Sequence, residues 1–293
     1  MIAIQRQKTM DSLQGKVVIV TGASEGIGAQ LVTSLRKRGA RLTLVARNEA
    51  KLRAVAGPDE LVIPCDLTQD ASRVSIVEQT AQRFGRLDVL INNAGRGGYY
   101  SPSAAPLDDS RGLFELNFFA PLHLSQLATP LLRQTKGSIV HVSSIAGQIS
   151  LPWLPIYSAS KFALASLGST QRIELRSHGV NVLTIFPGYV DTGFQAHATG
   201  TAPPSAIVKG KRFAVTAEQC AEAIVRGIEQ RRRMVVTPLI GWPLVLFARL
   251  FPSVVESRMG ASGGGMSGPG ARGPGEGRSD RGPGEGRSDL ETM

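Results

Sequence analysis

The chain has 293 residues, 42% of them apolar, and a mean hydropathy near zero, which is enough to bury a core as one large α/β domain or two small ones. The formal net charge of +10 raises nucleic acid and anionic membrane surfaces as partners. Most basic residues are scattered, however, and only the run 231–233, joined by Lys209, Lys211 and Arg212, could form a patch. Nucleic-acid binding is therefore disfavoured, although a membrane contact stays open.

The cysteine content and the N-terminal sequence both indicate a reducing environment. The two cysteines, Cys65 and Cys220, are far apart and have neither metal-binding nor redox spacing. We expect both to be buried small hydrophobic residues, with no metal site and no disulfide. The first twelve residues lack the apolar core of a secretory signal, so we expect a cytoplasmic protein.

Apolar runs of strand type alternate with helix-type segments along the chain. Predicted strands are 16–21, 41–46, 61–65, 87–91, 138–142, 181–186 and 234–236. Predicted helices are 29–38, 68–84, 110–132, a segment from Tyr157 to Gly179, and 216–230. This alternation is typical of a single Rossmann-like, doubly wound parallel α/β sheet with helices on both faces. We assign this domain to residues 15–237, after an N-terminal extension of residues 1–14.

Two further segments follow the predicted domain. Residues 238–259 are strongly apolar but are interrupted by prolines and Arg249, so a transmembrane helix is disfavoured. This segment is a lid, a subunit contact or an interfacial membrane contact in which Trp242, Phe247 and Phe251 meet lipid. Residues 260–293 are rich in Gly, Pro and Arg, and a nine-residue sequence occurs at 272–280 and again at 281–289. We predict a disordered tail.

A glycine-rich turn follows the first predicted strand. Gly22, Gly26 and Gly28 lie between that strand and a helix. In this position the backbone can approach a pyrophosphate closely and direct helix N–H groups at it. The turn therefore predicts a dinucleotide site.

The ends of the next strands suggest how the adenosine half of a dinucleotide is held. Arg47 follows the second strand where an acid would accept from a 2′-hydroxyl, and a guanidinium suits a 2′-phosphate. NADP(H) is therefore favoured over NAD(H). Asp66 follows the third strand and either accepts from the adenine amino group or caps the next helix. Asn92 to Gly95 end the fourth strand either beside the cofactor or as a plain tight turn.

Tyr157 and Lys161 are four residues apart on a predicted helix and project from one face. A phenol with a pKa of about 10 is a poor acid or base near neutral pH. An adjacent ammonium favours the phenolate and lowers the pKa of the phenol. This pair is a candidate proton donor and acceptor.

Taken together, these motifs resemble the classical short-chain dehydrogenase/reductase family. Thr21-Gly-x-x-x-Gly-x-Gly28, Asn92-Asn-Ala-Gly95, Ser144, Tyr157-x-x-x-Lys161 and Pro187-Gly188 occur in the family's order. The resemblance implies that Tyr157 is the acid/base and that Ser144 binds the substrate oxygen. Lys161 would lower the pKa of Tyr157 and hold the nicotinamide ribose. Asn117 would support a water relay to Lys161, or simply stabilise a helix kink.

The resemblance also implies which residues contact the cofactor. The expected set is Gly22, Ser24, Gly26, Ile27, Gly28, Arg47, Asp66, Leu67, Asn93, Ala94, Gly95, Tyr157, Lys161, Pro187, Gly188, Val190 and Thr192. A homodimer or homotetramer is expected by the same resemblance.

The predicted substrate loops are mainly apolar. They are residues 148–155 and the stretch from Tyr189 to about Phe213, with Ile149, Leu151, Trp153, Leu154 and Phe194 as an apolar wall. A hydrophobic ketone or alcohol of steroid, retinoid or acyl type fits better than a sugar. We predict NADPH-driven reduction of such a carbonyl. A non-catalytic dinucleotide sensor or scaffold is the alternative, which the full set of catalytic-type residues disfavours.

Overall fold

The computed structural model describes residues 12–101, 103–201 and 214–261 of the chain. Predictions for the first eleven residues, for Lys209, Lys211, Arg212 and Phe213, and for the repeats at 272–280 and 281–289 concern residues outside these ranges.

Seven parallel strands form one sheet. They are Val17–Thr21 (β1), Arg41–Ala46 (β2), Leu61–Pro64 (β3), Val89–Asn92 (β4), Ser138–Val142 (β5), Asn181–Pro187 (β6) and Met234–Thr237 (β7). Their spatial order is β7-β6-β5-β4-β1-β2-β3. The chain moves outward from β1 to β3 and then crosses to β4 on the other side of β1. Ligands of such sheets bind at this switch point, beyond the carboxyl ends of the strands.

Helices connect the strands. They are Gly26–Lys37 (α1), Glu49–Val55 (α2), Asp70–Phe84 (α3), Leu107–Phe114 (α4), Ala120–Thr135 (α5), Pro155–Leu175 (α6), Ala217–Glu229 (α7), Gly241–Leu250 (α8) and Pro252–Ala261 (α9). A π-helical turn, Glu115–Phe119, joins α4 and α5, where the sequence predicted one continuous helix. The short helix α2 was not predicted; Asn48 begins it by accepting a hydrogen bond from Lys51 N at 2.9 Å.

The core lies on both faces of the sheet, and β1 shows why. Val18 and Val20 face one side and pack with α1 and α7, while Val17 and Ile19 face the other and pack with α3 and α5. Because side chains alternate along a strand, a strand buried on both faces must be apolar throughout. The predicted Rossmann-like sheet with helices on both faces is confirmed.

Two small strand pairs fold the later loops over the carboxyl edge of the sheet. Gly98–Tyr99 pairs with Thr199–Gly200, and Val190–Asp191 pairs with Val215–Thr216. The apolar segment 238–259 contains α8 and most of α9, and α9 ends at Ala261. Within the described ranges, no helix has the length and apolar character needed to cross a membrane.

Candidate active site

The glycine turn between β1 and α1 is built for close backbone approach. Gly22 has a φ of +65°, a conformation that side chains disfavour. A β-carbon on Gly28 would lie 1.9 Å from the carbonyl oxygen of Gly22, so no larger residue fits there. Helix α1 begins at Gly26, and its first N–H groups are directed at the space above the turn.

The turn is tied to the end of β4 through Thr21 and Asn93. The hydroxyl of Thr21 accepts hydrogen bonds from Asn93 N at 2.9 Å and from Ala94 N at 3.1 Å. The Asn93 amide donates to Thr21 O at 2.9 Å and to Gly22 O at 3.2 Å. These bonds hold the first and fourth strand ends together, which fixes the floor of the site.

A cavity of about 1040 Å³ runs along the carboxyl ends of the strands. Every residue expected to contact the cofactor lines it: Gly22, Ser24, Gly26, Ile27, Gly28, Arg47, Asp66, Leu67, Asn93, Ala94, Gly95, Tyr157, Lys161, Pro187, Gly188, Val190 and Thr192. Ser144 lines it as well. The cavity therefore extends from the end expected to hold adenosine to Tyr157.

The end of the cavity that is expected to hold adenosine carries more charged residues than the sequence predicted. Arg47 is exposed at the wall, as expected. Glu25, in the glycine turn, accepts from Lys51 Nζ at 2.9 Å and lies 3.0 Å from His197 Nε2. Lys51 is on α2, so a helix missed in the sequence brings a second cation to this wall.

Asp66 lies at the end of the cavity and shapes the turn before α3. Its carboxylate accepts a hydrogen bond from Thr68 N at 2.9 Å. Helix α3 begins only at Asp70, with Gln69 as its cap, so the alternative that Asp66 caps this helix is wrong. Leu67 and Thr68 lie between Asp66 and the cap residue Gln69, so the Asp66 carboxylate stabilises the loop before the helix and not the first helical turn.

The phenol of Tyr157 is buried beside Ser144 and Phe194. Its ring centroid is 5.6 Å from that of Phe194. Burial raises the pKa of Tyr157 to about 12, the hydrogen bond with Ser144 opposes this shift, and the nearby phenol of Tyr99 adds to it. The phenol is therefore protonated near neutral pH.

Lys161 is almost fully buried one helical turn further along α6. Its Nζ donates to Val142 O at 3.0 Å, and burial lowers its pKa to about 8. The ammonium lies 5.8 Å from the ring centroid of Tyr157. The pKa of Tyr157 is thus shifted in the direction opposite to the one expected from Lys161, because burial is its largest cause and Lys161 is not among the groups that shift it.

Asn117 lies in the π-helical turn, directly behind the cavity wall. Its carboxamide accepts from Arg96 N and donates to Arg96 O, both at 3.0 Å, and donates to Ser160 Oγ at 3.1 Å. A β-carbon on Gly95 would lie 3.0 Å from Asn117 Oδ1 and 3.3 Å from Lys161 Nζ. Asn117 and Lys161 therefore flank Gly95. The helix irregularity at Asn117 fits the kink interpretation, and the water relay stays a prediction.

Two residues of the expected apolar wall lie elsewhere. Leu151, Leu154 and Phe194 line the cavity, but Ile149 and Trp153 do not. Ile149 is buried after a short 3₁₀ turn, and Trp153 has a φ of +65° in the loop that leads to α6. A loop without strand or helix periodicity does not reveal which side chains face inward.

The structure adds several lining residues. Tyr99, Leu116, Tyr189 and Gln195 complete the region around Tyr157. Arg96 also lines it, but its guanidinium is paired with Asp109 at 2.6 Å. Cys65 lines the cavity and is only partly buried, in contrast to the prediction, because it follows the last residue of β3 at the open edge. For the contacts of Glu25 with Lys51 and His197, the sequence offered one signal, which is the position of Glu25 inside the glycine turn, directly before Gly26.

Comparison with known proteins agrees with this geometry. Residues 16–202 match the family model described as short chain dehydrogenase. The chain is 37% identical over 252 residues to an Arabidopsis thaliana protein named 11-beta-hydroxysteroid dehydrogenase-like 4A, covering 82% of this chain and 81% of the relative.

Two solved structures share the fold. A short chain dehydrogenase from Burkholderia cenocepacia J2315 in complex with NADP is 25% identical, with a TM-score of 0.73, and the match covers 85% of this chain and 98% of that one. A short chain dehydrogenase/reductase from Burkholderia phymatum in complex with NAD is 24% identical, with a TM-score of 0.76, and covers 83% and 96%. The chain belongs to the short-chain dehydrogenase/reductase family and is an NAD(P)-dependent oxidoreductase of CH–OH and C=O groups.

Proposed function

We propose that the protein uses NADP(H) to interconvert a carbonyl and a secondary alcohol on a hydrophobic small molecule, with Tyr157 as the acid/base. The observation that carries this proposal is the position of Tyr157, Ser144 and Lys161 along one wall of a cavity that begins at the glycine turn. The alternative of a non-catalytic sensor does not require this set.

The residues present fit a dinucleotide. Gly28 lets the start of α1 pack directly against the carbonyl of Gly22, where a β-carbon would lie 1.9 Å from that oxygen, and the start of α1 offers N–H groups to a pyrophosphate. The glycine turn would hold the phosphates, and Lys161 the nicotinamide ribose. When bound, the cofactor supplies or accepts the hydride.

Around the substrate oxygen, this chain's residues handle the proton. Because the pKa of Tyr157 is raised to about 12, the phenol holds its proton near neutral pH and can donate it to a carbonyl oxygen. The Ser144 hydroxyl holds the same oxygen in position. Lys161 carries its charge below its pKa of about 8, where it stabilises the phenolate that remains. We expect reduction as the direction of the reaction, with NADPH supplying the hydride.

The preference for NADP(H) rests on charge. Arg47 is exposed at the wall expected to hold adenosine, and Lys51, whose ammonium is paired with Glu25, lines the same wall, so a 2′-phosphate bound there would lie near both cations. We expect Arg47→Ala to weaken NADPH binding by roughly 10-fold or more and to leave NADH binding nearly unchanged. Arg53→Ala, an exposed change on the same helix as Lys51 but outside the cavity, is the control. Equal losses for both cofactors would contradict the preference.

The substrate class rests on the lining. Leu151, Leu154, Phe194 and Tyr99 surround the region next to Tyr157, and the cation there, Arg96, is neutralised by Asp109. A ketone or alcohol of steroid, retinoid or acyl type is uncharged, so it brings no charge into this pocket that would need a partner there. The name of the Arabidopsis thaliana relative, a hydroxysteroid dehydrogenase-like protein, points in the same direction.

The decisive experiment is NADPH and NADH oxidation against a panel of hydrophobic ketones, with Tyr157→Phe in parallel. We expect turnover with NADPH that the variant lowers by roughly 1000-fold or more, while its NADPH affinity is retained. Tyr189→Phe, which also removes a cavity hydroxyl, is the matched control and should retain most activity. Tight NADPH binding without turnover of any ketone would favour the sensor, and turnover by Tyr157→Phe would remove Tyr157 from the mechanism.

Assembly and location stay predictions. We expect a homodimer or homotetramer, as the family resemblance implies, and sedimentation analysis of the full chain measures it. We also expect a cytoplasmic protein, which fractionation of the source cells tests.

A further inference from the structure

The described chain concentrates its exposed apolar side chains near its C-terminal end. Exposed fractions there range from 45% at Val254 to 76% at Leu239. We name this the C-terminal apolar surface; it consists of Leu239, Ile240, Trp242, Leu246, Phe247, Leu250, Phe251 and Val254. The other exposed large apolar side chains of the described residues, Leu107, Phe119, Phe162 and Ile173, are far apart in sequence. A contiguous surface of this kind marks an interaction site.

The surface is presented by a helix that is anchored to the domain. Val245 of α8 is 3% exposed, and Gly241 packs against Val236 and Ile145. On the outer side, the rings of Phe247 and Phe251 stack with centroids 5.1 Å apart. Helix α8 thus buries a narrow line of small and branched residues and exposes most of its large ones, although it is fixed in place.

This surface lies next to one wall of the cavity. Ile145, which contacts Gly241, lines the cavity, and so does Gly188, which faces Pro238 at the start of the apolar segment. Arg249 of α8 donates a hydrogen bond to Gln148, in the predicted substrate loop. Whatever covers the apolar surface therefore also lies close to this wall of the cavity.

The charges around the surface select the kind of partner. The two helices that carry the surface, α8 and α9, contain Arg249, Glu256 and Arg258 as their charged residues, so their net charge is positive. An apolar face with aromatic residues and a net positive charge matches an anionic lipid surface.

We propose that the C-terminal apolar surface docks the protein onto the face of an anionic lipid bilayer, with this wall of the cavity next to the lipid. Trp242, Phe247 and Phe251 enter the interfacial layer, where aromatic side chains are favoured. Arg249 lies beside the headgroups. Docking does not depend on the catalytic roles given above, but a membrane-dissolved apolar substrate, which rests on the proposed function, would reach the cavity directly.

The test is co-sedimentation of the full chain with phosphatidylcholine vesicles that contain or lack phosphatidylserine. We expect binding to the anionic vesicles, reduced at least roughly 10-fold by the double change Leu246→Ser and Phe247→Ser. The matched control, Leu107→Ser with Ile173→Ser, removes two exposed apolar side chains elsewhere and should bind like the wild type. Arg249→Gln removes one positive charge and should weaken binding to the vesicles that contain phosphatidylserine, but not to those that lack it.

A second readout reports on the orientation. The chain has two tryptophans, Trp153 and Trp242, so Trp153→Phe leaves Trp242 as the only indole. Its fluorescence should shift to shorter wavelength with anionic vesicles and be quenched by brominated lipid. Absence of vesicle binding, or binding that the double change leaves intact, would overturn the proposal. Conversion of an oligomer to a smaller species by the double change, with no vesicle binding in the wild type, would assign the surface to a subunit contact instead.

Discussion

Glu25 and His197 both line the cavity, and the Oε1 of Glu25 lies 3.0 Å from the Nε2 of His197. The other carboxylate oxygen of Glu25 pairs with Lys51 at 2.9 Å. One side chain of the glycine turn thus contacts both α2, at the adenosine end, and the loop after β6, on the substrate side. The hydrogen bond from Lys51 is the main reason why the pKa of Glu25 lies below its usual range, so the group is a carboxylate at neutral pH.

This carboxylate opposes an additional phosphate near Arg47 and Lys51. We expect Glu25→Gln to tighten NADPH binding by roughly 3- to 10-fold and to change NADH binding less, because the removed charge repels the 2′-phosphate. Fluorescence titration of both cofactors measures this ratio. Glu49→Gln, which breaks only an exposed pair with Arg53, should have no effect. An unchanged ratio in Glu25→Gln would place the 2′-phosphate away from this wall.

Gly28 should tolerate no side chain. We expect Gly28→Ala to weaken binding of both cofactors at least roughly 10-fold, because a β-carbon 1.9 Å from Gly22 O forces the turn apart. The control is Gly57→Ala, where an added β-carbon would meet Arg36 at an ordinary 3.4 Å. Calorimetric titration with each cofactor measures the loss. Wild-type affinity in Gly28→Ala would mean that the turn is not the phosphate site.

The buried ammonium of Lys161 should lower the free energy of unfolding. Burial lowers its pKa from 10.5 to about 8, so at pH 7 the charged amine carries its full burial penalty. We expect Lys161→Met to raise the free energy of unfolding by roughly 1 to 3 kcal/mol at pH 7 while activity is lost. Above pH 8 the folded wild type releases this proton before the unfolded chain does, so the wild type gains stability and the difference shrinks.

Denaturant unfolding of both proteins at several pH values, without added cofactor, measures this effect. Lys37→Met, an exposed change on α1, should leave the unfolding free energy nearly unchanged. A clear loss of stability in Lys161→Met at pH 7 would show that the hydrogen bond to Val142 O outweighs the burial of the charge.

The buried His141 should cause part of the loss of folding stability at acidic pH. It is fully buried, lies 2.8 Å from Gln171 Oε1 and 3.3 Å from Asn92 Nδ2, and burial lowers its pKa to about 4. The unfolded chain takes up this proton below about pH 6.5, whereas the folded chain does so only near pH 4. Stability should therefore fall by roughly 2 to 3 kcal/mol as the pH drops through this range.

The glutamine variant separates this contribution from other acid effects. His141→Gln should flatten the decline in unfolding free energy between about pH 6.5 and pH 4. The exposed His178→Gln should keep the wild-type pH profile. If the two variants show the same profile, the acid sensitivity has its origin in other groups.

The local patterns in the sequence were sufficient for the framework of the site. Strand β1, the glycine turn and the helix that presents Tyr157 and Lys161 all follow from short-range periodicity and from residues whose conformational preferences are strong. The order of strands and helices gave the parallel sheet, since such a sheet requires a helix between its strands. The cofactor-lining residues followed from the family resemblance, because they lie within these same local motifs.

Only the tertiary structure decided which residues from distant parts of the chain meet, and with what energy. The contacts of Glu25 with Lys51 and His197, and of Asn117 with Arg96 and Ser160, join separate loops and helices that no local pattern relates. The shift of the Tyr157 pKa to about 12 likewise depends on burial, a property of the whole packed cavity. Sequence spacing places two side chains on one helix face, but it does not contain the depth at which the fold buries them.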